Sequence, residues 1–181
     1  MKLLRTIQLD ASDKFIFDKP AEPGEWAVSG AFVFWSGNPT MLEGKARSAF
    51  RGGFLGIASL GWSTLVQIVE ANEADREDVV SALANRLTGN FGAPDAAAAR
   101  AAAEEEVTFA QSLCSQPQDT LIAVHRSYEN GEVHESFRTL RPRDGATPAR
   151  AFTFLDVEGE DDSAGSGDSV DLISMVDPEH R

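Results

Sequence analysis

The sequence predicts a single-domain α+β protein, with a mainly antiparallel sheet of six or seven strands and about three helices gathered on one face. Three observations carry this. A buried run at 62–69 leads straight into a helical pattern, an Asn-Gly pair separates two alternating segments at 120–140, and the chain opens on an alternating strand. At 181 residues, 42% hydrophobic, the chain is long enough for one sizeable core. The domain is expected over 1–157, followed by an acidic low-complexity tail over 158–181.

Leu3, Ile7 and Leu9 alternate with Leu4, Thr6 and Gln8 as in a half-buried first strand, and Phe15 and Phe17 are expected to share a face. Two prolines and a glycine at 20–24 mark a loop. Residues 26–35 are apolar on both faces, which predicts a long central strand. Asn38 and Pro39 break it, and Thr40 with Glu43 predicts a capping box opening a short helix that ends before Gly52 and Gly53. The glycines at 52, 53, 56 and 61 match neither a Walker loop nor a dinucleotide fingerprint, because Lys45 is followed by Ala46 and the spacings differ. A flexible elbow is the reading that remains.

Trp62, Leu65, Val66, Ile68 and Val69 predict a strand covered on both faces. Asn72 then caps a helix with Asp75 in its first turn, and Val79, Val80, Leu83 and Leu87 recur on one stripe. Gly92 closes that helix. Pro94 is expected at the first position of a third, running to about Cys114 through an alanine-rich half that faces solvent. Glu104, Glu105 and Glu106 stand about 100° apart on that helix and read as a solvated face.

The Asn130-Gly131 pair predicts a type I′ hairpin. Its register sets Tyr128 opposite Val133, Arg126 opposite Glu135, Val124 opposite Phe137 and Ile122 opposite Thr139. Phe152 to Leu155 form a final strand.

Charge and cysteine content narrow the function classes. Of the net −13, nine acids against one arginine between 156 and 181 carry −8, so no basic face points to nucleic acid. No apolar run of about 18 residues and no leader is present, so the protein is expected to be cytoplasmic, without a membrane span. Cys114 is the single cysteine, reads as core filler and forms no internal disulfide.

No catalytic constellation is recognisable. His125 and His134 lie diagonally on the hairpin's polar face with Arg138, and with Arg141 and Arg143 they form the candidate ligand-binding set for an anion. Two histidines lack the third ligand that a zinc site wants, so no metal and no cofactor are expected. Val170, Leu172, Ile173, Met175 and Val176 interrupt the acidic tail and read either as a partner-docking segment or as a frayed terminus. Arg126 with Glu135 is expected to steady the register.

The stretches MKLLRTIQLDASDKFIF, EPGEWAVSGAFVFW, GFLGIASLGWSTLV and LIAVHRSYENGEVHESFRTLRP resemble a family of small uncharacterised alphaproteobacterial proteins, over about residues 1 to 158. The resemblance implies a domain of unknown function, with no site residues to carry over, and an association with cofactor or molybdoenzyme maturation. The leading expectation is a non-catalytic accessory protein with an unidentified protein partner. The rival is an anionic-ligand binder or enzyme with a pocket near the 125–138 hairpin face.

Overall fold

The computed structural model describes residues 1–142 and 152–156, with backbone alone for 141, 142 and 152–156. The strands are β1 (Lys2–Ile7), β2 (Trp26–Val28), β3 (Phe54–Gly56), β4 (Trp62–Ser63), β5 (Leu65–Glu70), β6 (Leu121–Glu129), β7 (Glu132–Pro142) and β8 (Phe152–Asp156). They form one antiparallel sheet in the order β4-β3-β2-β1-β5-β6-β7-β8. The helices are α1 (Asp13–Ile16), α2 (Gly44–Gly52), α3 (Glu73–Asn90) and α4 (Ala96–Ser112). The α+β class holds, and the strand count reaches eight because the 61–69 region splits into β4 and β5 and because β3 forms within the glycine elbow.

β1 is central because both its edges are paired, with Leu4 opposite Ala27 on one side and Ile68 on the other. Leu4, Val66, Ile68, Ile122 and Val124 build one buried cluster with Val79, Val80, Leu83 and Leu87 of α3 and Ala99, Ala103, Val107 and Ala110 of α4. α3 and α4 run antiparallel, since Arg76 near the start of α3 donates to Thr108 near the end of α4 at 3.1 Å. Among the described residues no helix is long and apolar enough to cross a membrane.

Two local signals act as the sequence predicts. Asn72 accepts from the Asp75 N–H at 3.0 Å while the Asp75 carboxylate accepts from the Asn72 N–H at 2.9 Å, closing a capping box. Asn130 and Gly131 adopt φ of 54° and 86°, and every expected pair across the hairpin is present, down to Glu129 opposite Glu132.

Other elements differ, each for a physical reason. The long strand expected at 26–35 stops at Val28, because Gly30 takes φ 79° and the chain turns into a 3-10 helix, Ala31–Phe34. Its aromatic residues pack by stacking: Phe32 meets Phe91 edge-on at 5.3 Å, and Phe34 stacks on Trp62 at 5.3 Å. Phe15 and Phe17 do not share a face, since the one-turn α1 leaves Phe15 78% exposed and buries Phe17. Asn38, not Thr40, caps the 3-10 turn Pro39–Met41, and α2 begins afterwards.

The glycine elbow is the β3-β4 hairpin, held rigidly: a side chain on Gly56 would strike the Glu25 carboxyl, which Ser59 grips. β5 is not covered equally on both faces. It alternates, with Val66 and Ile68 buried and Leu65, Gln67 and Val69 half-buried. α4 starts two residues beyond Pro94, because Asp95 accepts from the Ala98 N–H at 2.8 Å and takes the cap. Its alanines also reach the core, Ala99 and Ala103 being buried where α3 approaches.

Gly30 therefore decides where β2 ends. Gly30→Ala places a Cβ 2.6 Å from that of Leu55 at a left-handed backbone, whereas Gly24→Ala meets the same φ penalty in open space. Urea denaturation is expected to find Gly30→Ala less stable than Gly24→Ala by about 2 kcal/mol.

Candidate functional site

The middle of the hairpin carries the most unusual side chain in the molecule. Arg126 projects from β6 into the interior, 1% exposed, and a buried guanidinium demands an acceptor for each of its five N–H groups. Nε donates to Glu135 Oε1 at 2.7 Å, and Nη1 to the carbonyls of Phe50 at 3.1 Å and Gly53 at 2.7 Å. Nη2 donates to the carbonyl and the hydroxyl oxygen of Ser29. The Ser29 hydroxyl in turn donates to Glu135. Burial pushes the guanidinium pKa down and Glu135 opposes this, so the ion pair keeps the charge in place. Every donor is used. Arg126 is thus a structural pin with no N–H left for a ligand, and the register role expected for the Arg126 and Glu135 pair extends to three further segments.

Two surfaces flank this pin. The first is an aromatic groove of about 410 Å³ between residues 32–36, the end of α3 and the exposed side of α4. Phe32, Val33, Trp35, Phe91 and Pro94 line it, and Glu105 and Glu106 border it. Trp35 is 68% exposed. Glu106 departs from the solvated-face expectation. Its Oε2 is buried with no hydrogen-bond partner among the described residues, and burial, then the nearby Glu135 charge, pushes its pKa up to about 7. Helix position alone could not reveal this, because the burial comes from elements packed over α4 and the second cause is a carboxylate brought in from β7.

The second surface is a polar shelf of about 290 Å³ where α2 meets β6, lined in part by Thr40, Arg47, Arg51, His125, Tyr128 and Glu129. The other described arginines are engaged: Arg5 lies over Trp26, Arg76 reaches Thr108, Arg86 binds the Ile57 and Ala58 carbonyls, Arg100 pairs with Glu77, and Arg138 also has a partner. Arg47 and Arg51 have no hydrogen-bond or ion-pair partner among the described residues. They stand four positions apart on α2, beside the 125–129 stretch of β6.

Of the ligand-binding set read from sequence, His125 lines this shelf, while His134 is exposed and diagonal to it, opposite Ser127. Arg138 lies on the same exposed face, opposite Ala123. Arg141 is placed by its backbone in β7, and Arg143 lies outside the described residues, as do Val170, Leu172, Ile173, Met175 and Val176. Arg47 and Arg51 were not singled out by sequence, since a short polar helix gives no sign of which strand it will meet. Among the described residues no group of three or more His, Cys, Asp or Glu is placed to hold a metal ion. Cys114 is buried, its thiol pushed up to about 11 by burial, as a packing residue would be.

The chain belongs to the family of unknown function DUF6505, whose model matches residues 1–154. No curated protein and no solved structure matches the chain.

Two outcomes test the pin and its neighbour. Arg126→Met leaves three buried carbonyls without their donor and Glu135 without its counter-charge, and is expected to cost about 3 to 5 kcal/mol in urea denaturation, part of which Arg126→Met with Glu135→Leu recovers. For Glu106, a folded-state pKa of about 7 against the ordinary 4.5 means the native state binds the extra proton. Its contribution is intact below pH 4.5 and is lost as pH rises to about 7, so stability measured at pH 8 should increase in Glu106→Gln by up to about 3 kcal/mol, with no gain at pH 4.

Proposed function

From membership in a family of unknown function, we propose that this protein is a non-catalytic cytoplasmic accessory protein that docks a segment of a protein partner in the aromatic groove. One observation carries the reading: Trp35 stands 68% exposed on a 3-10 turn, beside Phe91, over a groove walled by two helices. Exposing a tryptophan forgoes the partial burial that Trp26 and Trp62 obtain, and large aromatic side chains dominate interface energetics. Glu105 and Glu106 at the border favour a partner segment with an aliphatic or aromatic anchor and a flanking Lys or Arg. The acidic balance of the chain fits a protein partner and disfavours nucleic acid. A link to cofactor or molybdoenzyme maturation is one setting for such a partner.

A second reading, an anion-binding role at the hairpin face, is favoured by Arg47, Arg51 and His125 sharing one shelf. It enlarges the set His125, His134, Arg138, Arg141 and Arg143 with two cations from α2.

A photoreactive amino acid at position 35 tests the docking role. It is expected to cross-link one discrete protein in cells, while the same group at Met41, which is 76% exposed and does not line the groove, yields none. Phe91→Ser should abolish the cross-link without moving the melting temperature by more than a few degrees. Equal labelling from positions 35 and 41 would remove the groove's claim.

A further inference from the structure

We propose that the acidic stretch 158–162 of this same chain docks on the shelf formed by Arg47, Arg51 and His125, an inference that rests on the anion-binding reading of that shelf. Charge and chain geometry support it. Residues 158–162 read Glu-Gly-Glu-Asp-Asp, four carboxylates in five positions, while Arg47 and Arg51 are the two described arginines without a partner. Lys45, also on α2, adds a third exposed cation. Glu43, just before α2, Glu129, whose carboxylate accepts from the Ser127 hydroxyl, and Glu132, opposite Glu129 across the hairpin, are opposing charges close by. They equal Lys45, Arg47 and Arg51 in number, so the attraction for an anion is local to the Arg47 and Arg51 guanidinium groups, with which none of these carboxylates pairs.

The direction in which the chain leaves the sheet brings these acids to the right place. β8 pairs antiparallel with β7, from Pro142 opposite Phe152 to Arg138 opposite Asp156, so at its end the chain heads toward the hairpin tip. Ser136, two residues further along β7, is the partner of His125. From the end of β8 to the His125 backbone is therefore about two strand spacings across and two residues along, on the order of 12 Å. The six residues 157–162 span up to about 20 Å when extended. A tether this short holds the carboxylates at an effective concentration in the millimolar range, which turns individually weak exposed pairs into a contact formed for much of the time. The tail would then act as an internal competitor, leaving the shelf to an external anion only when the tail is displaced.

The test uses the full chain with a nitroxide spin label on Ser163→Cys. Cys114 is buried and its thiol pushed up to about 11, so the label goes to the new position. Amide signals of residues 45–51 and 125–129 should be broadened by the label, and the broadening should vanish in about 0.5 M salt. It should also vanish in Arg47→Glu with Arg51→Glu, and return when Glu160, Asp161 and Asp162 are changed to Lys in that background. No broadening in the native chain, or broadening unchanged in the double variant, overturns the proposal.

Inorganic phosphate separates this from the reading beneath it. In the full chain carrying Glu160→Gln, Asp161→Asn and Asp162→Asn, phosphate should shift the amides of Arg51 and His125 with a midpoint about threefold or more lower than in the native chain. Equal midpoints without label broadening would leave an anion shelf that the tail does not occupy. No phosphate response in either chain would remove the anion-binding reading itself, and the proposal with it.

Discussion

A buried guanidinium must find five acceptors, and the way Arg126 finds them shapes everything around it. A strand or helix uses its own carbonyls, so the acceptors have to come from places where regular structure stops. Ser29 lies just past the end of β2, and Phe50 and Gly53 supply carbonyls at the end of α2 and the start of β3. The pin therefore adds to the β2-β3 ladder a link among the residue past β2, the end of α2 and the approach to β3, and ties them to both strands of the hairpin through Glu135. A hydrophobic replacement of the whole pair could match its stability, because desolvating two charges offsets much of their attraction. It would not specify the same three chain directions, which is the property the rest of the fold uses.

Both flanking surfaces follow from those directions. With its carbonyl held by Arg126, Ser29 leads into Gly30 at φ 79°, and the chain enters a 3-10 turn that anchors Phe34 on Trp62 and Phe50 while leaving Trp35 outside. On the other side, holding Phe50 and Gly53 draws the last turn of α2 onto β6, which sets Arg47 and Arg51 beside His125. The aromatic groove and the basic shelf are thus two outcomes of one buried contact, and a variant that loosens the pin should disturb both together.

What was legible in the sequence was what local chemistry decides. The register of β6 and β7 follows from two residues whose φ values suit a type I′ turn, and the start of α3 follows from a reciprocal pair three positions apart. The α stripe Val79, Val80, Leu83 and Leu87 was equally readable, because periodicity reports burial directly. The failures share the opposite trait. Residues 26–35 look like a strand until the Ser29 carbonyl meets a guanidinium 97 positions away, and Glu106 looks solvated until tertiary packing buries it and β7 brings Glu135 near. Of the candidate site, His125 was named from its place on the hairpin, but its cationic neighbours depend on where α2 comes to rest.

Electrostatics then assigns the two surfaces to different kinds of occupant. The groove is apolar but bordered by Glu105 and by Glu106, whose Oε2 is already desolvated without a partner, so bringing a further carboxylate there adds repulsion to an existing cost. A partner segment with acidic flanks meets that penalty in the groove. A segment with a cationic flank meets none, and it also stabilises the charged form of Glu106. The shelf has the reverse preference, since the Arg47 and Arg51 side chains have no partner among the described residues and gain from a carboxylate within reach. Among the described residues the aromatic groove and the shelf therefore have opposite charge preferences, the groove favouring a cationic flank and the shelf a carboxylate.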